Sequence, residues 1–66
     1  MRLIINGEEK QFETNLTLEQ IITDLQIKDK VMACAVNMDI VKKDDWESFI
    51  PNDGDKIELL QFVGGG

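Results

Sequence analysis

The sequence closes on Phe62-Val63-Gly64-Gly65-Gly66, and these last positions hold its most suggestive chemistry. Glycine has no Cβ, so it weakens regular structure and leaves the backbone open to approach. A glycine run adds nothing to a small core. It does put an unhindered α-carboxylate, that of Gly66, where another protein's active site can take it. Fully extended, the residues beyond Leu60 would reach roughly 20 Å, enough to thread a narrow cleft. Terminal glycines also occur as frayed ends or cloning linkers, so the rest of the chain has to decide between these readings.

Other residues offer less. With no His and a single Cys, the composition excludes a His-ligated metal site and any Cys-His or Ser-His-Asp nucleophile. Asp44, Asp45, Asp53 and Asp55 flank turns without the spacing of a calcium loop and read as solvated loop charges. Cys34 has no basic neighbour and reads as a buried structural thiol. A chain of 66 residues has little wall from which to build a dry, concave active site. It is expected to be acted on rather than to act as an enzyme, with no cofactor or metal of its own.

Thirteen acidic residues against 7 basic ones leave a net charge of −6. That charge disfavours nucleic acid and anionic membrane as partners and suits a basic docking surface as well as plain solubility. No apolar run approaches the roughly 20 residues of a membrane span, and no signal peptide is evident. The lone cysteine favours a reducing compartment, the cytosol. The free protein is expected to be a monomer.

The elements that would position the tail are readable in order. Arg2 to Ile5 is a β-rich run ending in Asn6-Gly7, the preferred pair for a two-residue type I′ turn. The returning strand is Glu9 to Glu13, with Leu3, Ile5 and Phe12 inward and Ile4 outward. Thr17 and Gln20 form a capping box, with Leu16 and Ile21 as a hydrophobic staple. Leu18, Ile21, Ile22 and Leu25 make one apolar helical stripe, with Glu19 at the positive end and Lys28 at the negative end. Val31 to Asn37 reads as a third strand, with Met32, Cys34 and Val36 on one face and Ala33 and Ala35 on the other. Ile40 to Lys42 is a short fourth strand. A single helical turn capped by Asp44 or Asp45 follows, sending Trp46, Phe49 and Ile50 to the edge of the core, with Trp46 as a packing anchor. Pro51-Asn52-Asp53-Gly54 is a turn. Lys56 to Phe62 is the last strand, with Ile57 and Leu59 inward and Leu60 and Phe62 outward.

This order specifies an α+β fold: a mixed four- to five-stranded sheet with one helix across one face. The first and last strands should be central neighbours, with the polar second strand at an edge. Residues 1–61 form the domain and 62–66 a flexible tail. Ile4 and Leu60, expected side by side on the outward face, join Phe62 and Val63 at the tail's root as the surface for a partner.

Val36-Asn37, Ile40-Val41, Trp46, Asp53-Gly54-Asp55 and the closing Gly65-Gly66 together resemble the ThiS family, ubiquitin-like β-grasp sulfur carriers of bacterial thiamine biosynthesis. The resemblance runs the length of the chain, and its most specific feature is the terminal Gly-Gly on this succession of elements. Gly64 departs from it, since many relatives carry a larger residue there. The resemblance implies that a ThiF-type adenylating enzyme activates the Gly66 carboxylate with ATP. A sulfur donor, usually a persulfide, converts it to a thiocarboxylate, and a ThiG-type thiazole synthase receives the sulfur. Gly65 and Gly66 would be needed as glycines because a side chain would block both the channel and the nucleophile's approach, while Gly64 lengthens the tail and leaves the reacting end unchanged. Two other readings share the same activation: a MoaD-type carrier for molybdopterin synthesis, whose chains generally run longer, and a ubiquitin-like modifier that joins Gly66 to lysines.

Overall fold

The computed structural model describes residues 1–61, so the expected tail (Phe62, Val63, Gly64, Gly65 and Gly66) lies outside the described residues. Its strands are β1 (Arg2–Ile5), β2 (Glu8–Gln11), β3 (Val31–Val36), β4 (Asp39–Val41) and β5 (Lys56–Gln61). The helix α1 (Leu18–Asp24) crosses between β2 and β3, and short 3-10 turns cover Lys28–Lys30 and Lys43–Asp45. The five strands form one mixed sheet in the order β2-β1-β5-β3-β4. β1 and β5 run parallel at its centre, while the β1–β2, β3–β4 and β3–β5 pairs are antiparallel. The expected arrangement therefore holds, with all five strands present and β2 at an edge.

Asn6 and Gly7 take φ values of 49° and 85°, the left-handed pair that a type I′ hairpin requires. β2 ends at Gln11, so Phe12 packs on the core from just beyond the strand. The helix begins as its sequence dictates. Thr17 Oγ1 accepts from the Gln20 amide at 3.1 Å, and Gln20 Oε1 accepts from the Thr17 amide at 2.9 Å. Two further first-turn amides are satisfied from outside the helix: Leu18 N donates to the Phe49 carbonyl and Glu19 N to the Trp46 carbonyl. Leu18, Ile21 and Ile22 are fully buried against Leu3, Ile5, Cys34, Ile57 and Leu59 of the sheet. Leu16 and Leu25 pack at the rim of that cluster. Trp46 fills the same core, and its Nε1–H donates to the Val41 carbonyl at 2.9 Å.

Several local expectations are corrected. Lys28 does not cap the helix's negative end, because α1 stops at Asp24 and Gln26 turns the chain at φ 62°. Lys28 instead reaches back to Glu19 in the first turn, 2.6 Å away. Met32 points to solvent rather than sharing a face with Cys34 and Val36. A bulge between Val31 and Ala33 inserts Met32 as the extra residue, which puts Val31 in the core and Met32 outside it. The turn at Lys43–Asp45 has no side-chain cap, so neither Asp44 nor Asp45 plays that part, and Ile50 is exposed. Asp53 and Asp55 are loop carboxylates, as expected, but they also accept backbone hydrogen bonds. Asp53 Oδ1 accepts from the Arg2 amide at 2.6 Å, and Asp55 Oδ2 accepts from the Asn52 amide at 2.8 Å.

Candidate functional site

Every route to Gly66 passes through β5, so the site is built from what holds that strand and what it presents. Ile57 and Leu59 point into the core, and Glu58 and Leu60 point away from it. On one side β5 is paired with β3 from Val36↔Ile57 to Val31↔Gln61. On the other, β1 contributes only Ile4↔Lys56 and Ile5↔Ile57 before the chain turns back at Asn6. The Asn6 backbone amide still donates to the Ile57 carbonyl at 2.9 Å.

Where the β1 backbone runs out, the Asn6 side chain takes over. Its Oδ1 accepts from the Leu59 amide at 2.8 Å, and its Nδ2 donates to the Leu59 carbonyl at 3.2 Å. One carboxamide thus stands in for a strand residue and pairs both backbone groups of Leu59. Asn37 does a similar job at the strand's start: its Oδ1 accepts from the Lys56 amide at 3.0 Å while its Nδ2 donates to Asp55. Sequence reasoning saw Asn6 only as a turn residue and Asn37 as the end of the third strand. Their left-handed φ values match the turn signal that their types carry, whereas the bonds across 53 and 19 residues leave no local trace.

The outward face carries an apolar patch, though not the one expected. Ile4 is level with Lys56, and Leu60 lies four residues further along β5. The two are therefore about 13 Å apart along the strand direction rather than side by side. Parallel register is the reason: Leu60 passes the end of β1 and faces Ala33 of β3 instead. Ala35, two residues on, pairs with Ile40 of β4. Leu60 and Ile40 are 62% and 71% exposed, and with Ala33 and Ala35 they line a shallow depression on the sheet's open face, whose lining Asn6 and Glu58 share. Two large apolar side chains flank two small ones, an exposed apolar patch of the kind that marks interaction sites. Ile4 is half-buried and stands apart from it. The sequence missed Ile40 because its place depends on the β3–β4 register.

Cys34 lies beneath this face, 1% exposed, and burial pushes its thiol up to about 11. It is poorly suited to nucleophilic work. Among the described residues no group of His, Cys, Asp and Glu is arranged to hold a metal ion. No described helix is long and apolar enough to cross a membrane.

A small domain with a five-stranded mixed sheet in the order β2-β1-β5-β3-β4 and one helix across one face defines the class: a ubiquitin-like β-grasp domain. Comparison with known proteins narrows it. The family model described as "ThiS family" matches residues 3–66, and the chain belongs to that family. It is 30% identical over 66 residues to the sulfur carrier protein ThiS of Escherichia coli, covering all of both chains. It is also 39% identical over its full length to a protein of Paramagnetospirillum magneticum named thiazole synthase, but spans only 20% of that protein. The crystal structure of a thiamine biosynthesis protein, ThiS, from Geobacter metallireducens has the same fold, with a TM-score of 0.80, 24% identity and all of both chains covered.

Proposed function

We propose that this protein is a sulfur carrier of thiamine biosynthesis and that its working group is the carboxylate of Gly66. The observation that carries the reading is family membership through residue 66, on a chain whose central strand precedes the Gly-Gly ending. In the first step a Gly66 carboxylate oxygen attacks the α-phosphorus of ATP on a ThiF-type adenylating enzyme, and pyrophosphate leaves. Adenylation is needed because a free carboxylate is a poor electrophile. A persulfide sulfur then attacks the carbonyl carbon. The carbon–sulfur bond forms, the bond to AMP breaks, and cleavage of the resulting disulfide by a thiol leaves a thiocarboxylate. A ThiG-type thiazole synthase takes the sulfur. The similarity to a segment within proteins named thiazole synthase supports that last partner.

In this reading the chain is a co-substrate with no cofactor of its own, and ATP belongs to the partner. Gly65 and Gly66 leave the channel clear, since a Cβ there would narrow it, and Gly64 is a further tail residue that the channel argument does not require. Leu60, with Phe62 and Val63 beyond it, forms the docking root, and Ile40 extends the seat. Ile4 stands as a secondary contact. The reduced state of a buried Cys34 is compatible with work in the cytosol.

The test is intact mass after incubation with adenylating enzyme, ATP and a persulfide donor. An oxygen-for-sulfur exchange on Gly66 is expected, and Gly66→Ala should lose at least tenfold in loading while keeping its circular dichroism and Tm. Full loading of Gly66→Ala would refute the narrow-channel argument. An unmodified native chain would refute the carrier reading itself.

A further inference from the structure

β5 outruns its parallel neighbour. After Ile57 there is no β1 backbone left to pair with, yet Leu59 remains hydrogen-bonded on that side through the Asn6 carboxamide alone. A type I′ turn accepts Asn, Asp or Gly at this position. The turn by itself therefore does not select asparagine. Only a carboxamide offers one donor and one acceptor in a plane, which is what the paired N–H and C=O of Leu59 require. Aspartate would keep the bond from the Leu59 amide and set an anion against the Leu59 carbonyl. Glycine would keep the turn and lose both bonds.

We propose that Asn6 is a positioning residue for the carrier reaction: by clamping Leu59 from the β1 side, beside the β3 pairing that runs to Gln61, it steadies the last part of β5 and so the delivery of Gly66. The inference rests on the sulfur-carrier reading. It separates two tasks. The Leu60–Ile40 seat is held by the β3 and β4 pairings, with Asn6 reaching only its rim, and in this reading it sets how tightly the adenylating enzyme binds. The Asn6 clamp acts from the β1 side and sets how often a bound carrier has its end in the active site. A delivery defect therefore lowers kcat and leaves KM nearly unchanged.

The experiment measures ATP–pyrophosphate exchange by a ThiF-type enzyme as a function of carrier concentration, for the native chain, Asn6→Gly, Asn6→Asp and Gly7→Ala. Amide hydrogen exchange is followed at Leu59. Gly7→Ala is the stability control. Gly7 has φ +85° and open space where a methyl group would stand, so alanine strains the same turn without touching the Leu59 bonds. Expected for Asn6→Gly are at least tenfold faster exchange at Leu59, a tenfold or larger fall in kcat and a KM within threefold of native. Asn6→Asp, which tolerates the same φ, should show a smaller fall in kcat and gives the answer if Asn6→Gly does not fold. Gly7→Ala should keep native kcat at temperatures below its unfolding. The proposal is overturned if kcat is unchanged in both Asn6 variants, or if Gly7→Ala loses as much. A native chain that supports no exchange sinks the carrier reading, and the clamp's role with it. A native chain that works beside unaffected Asn6 variants sinks the clamp alone.

Discussion

Cys34 shows how one side chain reports on the whole core. Its thiol is pushed up to about 11 by burial alone. In the unfolded chain it ionises at about pH 8.5. Between these values the unfolded state has lost the proton that the folded state keeps, so stability falls as pH rises through that window and levels off past about 11. The urea midpoint of the native chain should drop there more steeply than that of Cys34→Ala, and iodoacetamide should label native Cys34 only as fast as the domain opens. Parallel pH profiles for the two proteins would show that the thiol is not buried as described. Cys34 and Trp46 were both legible from type alone, since a free cysteine and a lone tryptophan in so small a domain have few places to go other than the core. Asp53 was not. Its role depends on Arg2, 51 residues away, and nothing local marks a carboxylate that will accept a strand's backbone amide.

At the scale of elements, α1 has only 7 residues and would not persist alone. It is held by its capping box, by two carbonyls from the Trp46–Phe49 segment and by three buried side chains. Thr17→Ala should therefore destabilise the domain by about 1 kcal/mol. For a domain this size that is a fall in Tm of roughly 4–8 °C, measurable by calorimetry, while loading at 25 °C stays native. A Tm within a degree of native would mean that the segment after Trp46, rather than the cap, starts the helix. The cap, the hairpin turn and the inward residues of β5 could all be read because each is written in neighbouring residues. The bulge at Met32 could not, because alternation predicts faces only while each residue of a strand faces one partner. The same limit displaced the docking face: Ile4 and Leu60 are outward as expected, but their separation follows from register, which alternation does not specify.

Across the whole molecule, recognition and delivery share a single sheet in the carrier reading. The open face exposes Leu60 and Ile40, and the opposite face packs into the core. Leu60→Asp places a charge in the seat without touching the interior, so it should raise the Kd for the adenylating enzyme at least tenfold while Tm stays within about 2 °C of native. Titration calorimetry at matched salt reads this directly, and an unchanged Kd would move the interface elsewhere. The acidic surface predicts in addition that association slows as salt rises if the partner's face is basic. The sheet order has a consequence for damaged copies. β5 is central in space yet follows every other strand in sequence, so without it the β1–β2 and β3–β4 hairpins have nothing to join them. A protease that clips within Lys56–Gln61 therefore unmakes the whole sheet instead of leaving a folded body without its end. In the carrier reading, such remnants would be unfolded chains, and folded carriers lacking their end would not accumulate beside intact ones.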